Sequence, residues 1–105
     1  MRSMIARIWR TEVDVERSAE YDRFASERSL PMFSRHAGFR GAVLYGRGTT
    51  RYVLTLWDGP AAACALEASA DYRETVAAIS RAGFLCGEQG VERFDVSALS
   101  GAAML

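Results

Sequence analysis

The segment from Gly38 to Pro60 constrains this chain most. A Gly38-Phe39-Arg40-Gly41 turn opens a run rich in β-formers, and Phe39 to Gly46 reads as a strand. Arg47-Gly48-Thr49-Thr50 supplies a tight turn, and Tyr52 to Trp57 reads as the returning strand. Asp58-Gly59-Pro60 then stops the sheet and starts a helix. A short-loop hairpin fixes two antiparallel neighbours, so the rest of a small domain must be built around it.

The flanks supply the remaining elements. Residues 4 to 10 alternate, with Ile5, Arg7 and Trp9 on one face and Met4, Ala6 and Ile8 on the other. Asp14 is a good N-cap with Glu16 in the first turn. Val15, Ala19, Tyr21, Phe24 and Ala25 give the apolar side of a helix running to about Arg28, with Pro31 ending it or kinking its exit. Leu30, Met32 and Phe33 follow as an apolar, lid-like segment. After Pro60 an Ala-rich run to Ala68 is a short helix. Ser69 or Asp71 starts another, with Tyr72, Val76 and Ile79 on one side and Gly83 as its stop. Gly87 to Gly90 reads as a turn and Val91 to Ser97 as the last strand.

The order β-α-β-β-α-β, with the second helical stretch broken in two, predicts an α+β, ferredoxin-like fold with a four-stranded antiparallel sheet and helices on one face. The other face is then bare, with Ile5 and Trp9 expected on it. A large apolar patch of that kind marks an interface, so a homodimer joined through its sheet faces is expected.

At 105 residues the chain makes one domain, expected over 4–98 with a tail at 99–105. Thirteen basic residues balance thirteen acidic ones, which argues against a nucleic-acid partner. Every basic residue except His36 is Arg, a mark of GC-rich bacterial coding. No run approaches the roughly 18 apolar residues of a membrane span, and no basic-apolar secretion signal stands at the start. Cys64 and Cys86 have neither C-x-x-C spacing nor a nearby His, which argues against a disulfide framework or zinc site. A reducing cytoplasm is the expected compartment. Cys64 is expected in the core, and Met1 to Ser3 precede a more typical start at Met4.

The Gly38-Phe39-x-Gly41 turn, the hairpin ending at Trp57, and Ser69 and Tyr72 on the following helical segment resemble the antibiotic biosynthesis monooxygenase (ABM) family of dimeric α+β barrels. Met4 to Arg10 and Val91 to Val96 resemble that family's first and last strands, so the likeness spans roughly residues 4 to 98. It implies a pocket between helices and sheet lined by Ile8, Phe24, Phe33, Phe39 and Thr55, suited to a small apolar aromatic ligand. Cofactor-free members oxidise polycyclic phenols with molecular oxygen, which implies such a reaction here, with no cofactor and no metal. Trp57 would stack on the substrate and donate from Nε1. His36, the one histidine, would act as general base, or Tyr72 would handle the proton. Each has a plainer reading: a core tryptophan, a loop histidine, a half-buried helix tyrosine. Heme-degrading relatives of the superfamily use a strand-one Asn and an axial His after the Trp strand. Here Ile8 holds the first position, and no His occurs between Ala61 and Ala82. A non-catalytic dimeric module binding an apolar aromatic ligand is the rival reading.

Overall fold

The computed structural model describes residues 3–101; Met1, Arg2 and the last four residues of the expected tail lie outside them. Strand β1 (Ile5–Val13) leads into a 3-10 turn (Val15–Arg17) and helix α1 (Ser18–Phe24). A π-helical segment (Ala25–Ser29) continues directly into α2 (Leu30–Ser34). The hairpin β2 (Phe39–Arg47) and β3 (Thr50–Trp57) follows, then α3 (Pro60–Ala68), α4 (Ala70–Arg81) and β4 (Leu85–Asp95). The sheet is fully antiparallel with order β2-β3-β1-β4, as expected of the ferredoxin-like arrangement.

Local chemistry accounts for the boundaries. The Asp14 carboxylate accepts from the Glu16 amide at 3.0 Å, and Ser69 Oγ accepts from the Tyr72 amide at 3.1 Å. Both satisfy amides that a helix start leaves orphaned. Gly48 (φ +58°) makes the hairpin turn and Gly83 (φ +83°) ends α4. Pro31 does not end the first helical stretch. It lies inside a continuous helical stretch, directly after the π segment, where the hydrogen bonding has left the regular α-helical pattern that its missing N–H would otherwise break. β4 begins earlier than expected, because Gly87 to Gly90 runs within the strand, where register shifts against β1 between Arg10 and Glu12.

The two faces of β1 are phased opposite to the expectation. Ile5, Arg7, Thr11 and Val13 are buried under the helices, and Trp9 stacks on Tyr21 of α1, ring centroids 6.4 Å apart. Ile8 pairs with Leu54 on the open face, alongside Val43, Tyr45 and Tyr52. Alternation alone cannot tell a strand's two apolar faces apart. Cys64 lies exposed on α3 rather than in the core, and Cys86 is exposed on β4.

Two clusters fill the space between helices and sheet. Ile5, Met32, Phe33, Val53, Trp57 and Leu66 form one; Val13, Tyr21, Ala25, Ile79 and Phe84 form the other. Trp9 and Leu44 touch both.

Candidate functional site

At the seam between these clusters lies a cavity of about 30 Å³, bounded by β1, β3, the π segment, α2 and α4. Its walls are mostly apolar: Trp9, Met32, Phe33, Val53, Val76 and Ile79. Polar groups reach it from Arg7, Tyr21, Ser29, Tyr72 and Thr75. Such a volume holds one or two waters. Small-molecule sites are usually about 300–1,000 Å³, so the cavity as it stands is too small for an aromatic ligand.

Arg7 dominates the polar wall. Only 1% of it is exposed. Its Nε donates to Glu67 Oε2 at 2.7 Å, its Nη2 donates to the Tyr72 hydroxyl at 2.6 Å, and the guanidinium lies 5.0 Å from the Tyr72 ring centroid. Arg93 on β4, directly opposite Arg7 in the sheet, also binds Glu67. Burial pushes the Glu67 carboxyl up, but Arg7 and Arg93 outweigh it and hold the group below the usual carboxylate range. A buried guanidinium is costly to desolvate unless its donors are met. Here Nε and Nη2 are engaged, while Nη1 donates to none of the described residues. Tyr72, accepting from Arg7, has no acceptor for its own hydrogen among the described residues.

Of the residues expected at the site, Phe33 and Tyr72 line this cavity. Trp57 does not: it is wholly buried beside it, with Phe39 and Phe33 edge-on at 5.5 and 6.4 Å. Its Nε1 donates to Thr55 Oγ1 at 2.8 Å, and Thr55 donates on to the Arg7 carbonyl at 3.4 Å. Phe39 and Thr55 thus surround Trp57. Phe24 packs against Phe84 in the second cluster, ring centroids 6.1 Å apart. Ile8 points away, because residues one apart on a strand take opposite faces.

His36 also stands outside the cavity, in the turn after α2. Its buried Nε2 makes no hydrogen bond, the Asp71 carboxylate lying 3.4 Å away and poorly aligned. Asp71 is held instead by Arg35, through contacts of 2.8 and 3.1 Å. Hydrogen bonding from Arg35 lowers the Asp71 carboxyl from its ordinary range, with burial opposing it. The pair ties the end of α2 to the start of α4 beside the cavity.

Sequence reasoning passed over Arg7, Glu67 and Trp9. The signal for Arg7 was present: a lone cation between Ile5 and Trp9 on one strand face is either solvated or held for a purpose. Glu67 carried none, since its meeting with Arg7 spans sixty residues. Among the described residues no three His, Cys, Asp or Glu side chains gather as a metal site, and no helix is long and apolar enough to cross a membrane.

No family model and no curated protein matches the sequence. Solved structures do. A candidate antibiotic biosynthesis monooxygenase from Bordetella bronchiseptica has a TM-score of 0.79 at 18% identity, over 92% of this chain and 100% of its own. The NE2512 protein of unknown function from Nitrosomonas europaea has a TM-score of 0.78 at 17% identity, over 94% of each chain. SnoaB, a cofactor-independent oxygenase from Streptomyces nogalater, has a TM-score of 0.71 at 16% identity, over 95% of this chain and 97% of its own. Identities this low speak to architecture, and in architecture this chain has the fold of the antibiotic biosynthesis monooxygenases.

Proposed function

We propose that the protein is a cofactor-independent oxygenase of the ABM kind, acting on a small aromatic phenol that enters the cavity between α2, α4 and the sheet. The observation that carries this reading is the Arg7–Tyr72 pair at one wall of an otherwise apolar, aromatic cavity. Trp9 and Phe33 offer ring faces and edges to a flat ligand. Tyr72, with its oxygen occupied by Arg7, presents its hydrogen to a ligand oxygen. Trp57 acts from behind the wall, holding Thr55 and so the Arg7 backbone in position. In this reaction the ligand's anion gives an electron to O2, the two radicals join at a carbon bearing hydrogen as a peroxide anion, and a proton from solvent makes it the hydroperoxide. Loss of water then leaves a carbonyl, so one oxygen atom stays in the product and the other leaves as water. The protein's share is to orient the ligand and stabilise its anion.

Two copies joined by the open sheet faces complete the proposal. Tyr45 and Tyr52 stack there at 4.8 Å, and Tyr45 and Phe94 are 42% and 48% exposed.

One observation favours a binding module instead: neither a carboxylate nor a histidine lines the cavity. Oxygen uptake with anthrone- and naphthol-type phenols, metals chelated, separates the two. Uptake without added cofactor that falls about a hundredfold or more in Tyr72→Phe supports the oxygenase; this is the usual order of loss for a group aiding proton transfer or charge stabilisation. Saturable quenching of tryptophan fluorescence by the same compounds without uptake supports the module.

A further inference from the structure

The cavity poses a chemical problem that its own lining answers. Oxidation of a phenol begins from its anion, yet no residue lining the cavity is a conventional base at neutral pH. The charge that does reach it is positive. Arg7 and Arg93 share the single carboxylate of Glu67, so among the described residues one positive charge in the trio is uncompensated. Arg93 sits on the outer side of that trio, beside the exposed Cys64 thiol. Arg7 sits on the inner side, buried, with Nη1 donating to none of the described residues.

Resting on the reading above, we propose that this site selects its ligand as a preformed anion: an aromatic bearing one ionised oxygen or carboxylate, bound by Arg7 with Tyr72 donating to the same oxygen. The protein then supplies no base. By binding only the ionised form tightly it draws the phenol's ionisation forward, the proton having gone to water before the anion binds. A guanidinium in a poorly hydrated setting favours an anion far more than it does in water. The titratable and charged groups facing Arg7 are Glu67 from α3, Tyr72 from α4, Tyr21 from α1 and Arg93 from β4. The two arginines hold the Glu67 carboxyl below the usual carboxylate range and burial pushes the Tyr21 phenol up to about 12, so neither changes charge between pH 6 and 9.

The test uses the intact protein, tryptophan fluorescence and four naphthalenes: 1-naphthoate, 1-naphthol, 2,4-dinitro-1-naphthol and 1-methoxynaphthalene. The two strongly acidic compounds are expected to bind equally well at every pH from about 6 to 9. Binding of 1-naphthol should tighten as pH rises toward its own ionisation. The methyl ether should bind at least tenfold more weakly than the anions, the scale of one lost charge-assisted contact. Arg7→Met should abolish the difference between ether and anion. Glu67→Gln, which removes the counter-charge while keeping the shape, should tighten anion binding. That opposite sign guards against a variant that merely loosens the fold.

Equal affinity for ether and anion, a binding midpoint fixed at one pH for every ligand, or no binding of any probe would each overturn the proposal. The oxygenase reading fails separately. Anion selectivity without oxygen uptake removes the oxygenase and leaves the anion site, whereas uptake without anion selectivity does the reverse.

Discussion

Thr55 shows how much one side chain settles here. Its hydroxyl accepts from the Trp57 indole and donates to the Arg7 carbonyl, with no exposure to water. Thr55→Val keeps the shape and strands the indole N–H. The expected loss is about 1–3 kcal/mol, the cost of an unmet buried donor, read by urea unfolding; an unchanged midpoint would remove this role. Tyr21 makes a second residue-scale case. Burial, with some help from Asp22 and against Arg51, pushes its phenol up to about 12. The folded state therefore favours the protonated form. Its contribution is complete below pH ~10, where an unfolded tyrosine ionises, and falls from there through about 12 as only the unfolded chain gives up its proton. In an ultraviolet tyrosinate titration one of the four tyrosines should ionise late, and Tyr21→Phe should delete that late step. A late step that survives the substitution would reassign it.

At the scale of elements, close approach and latching matter most. Gly38, at φ +86°, precedes β2 where α3 crosses it, and a Cβ there would lie 2.6 Å from the Ala62 Cβ. Gly38→Ala should cost about 1–3 kcal/mol through backbone strain and the clash together, measured by thermal or urea unfolding. The Arg35–Asp71 contact joins α2 to α4 over a cavity too small for the ligand proposed. Asp71→Asn should speed ligand association severalfold in stopped-flow quenching, on the scale of about 1 kcal/mol for an exposed ion pair. Identical association rates would place the entry route elsewhere.

At the scale of the molecule, the open face of the sheet is the main unsettled surface. Ile8 and Leu54 are paired neighbours at its centre, and Val43 lies beyond them on β2. In the proposed dimer, Ile8→Arg should separate the two copies, read as a monomer in light scattering after size exclusion, because a buried unpaired charge is costly at an interface. A wild-type monomer at micromolar concentration would remove the dimer. Nothing about that face alters the register of the protomer's own sheet, so the variant should keep its circular dichroism.

Local signals carried the order of the elements: Asp14 and Ser69 as caps, Gly48 and Gly83 where φ is positive, the Asp58-Gly59-Pro60 break. Those depend on neighbours in sequence, so β-α-β-β-α-β and its antiparallel sheet could be read from the chain alone. The site depended on more. Alternation in β1 separated Ile5, Arg7 and Trp9 from Ala6 and Ile8 but not inside from outside, since both sets are largely apolar. Packing of α1 and α4 against the first set decided it, turning Ile8 outward and drawing Arg7 inward to meet Glu67 and Tyr72, sixty and sixty-five residues away. Trp57 was legible as important but not as a support behind the wall rather than a face of the cavity. A sequence fixes periodicity because that is local; which face is covered, and which charge is buried with which partner, is set by contacts that exist only once the helices have docked.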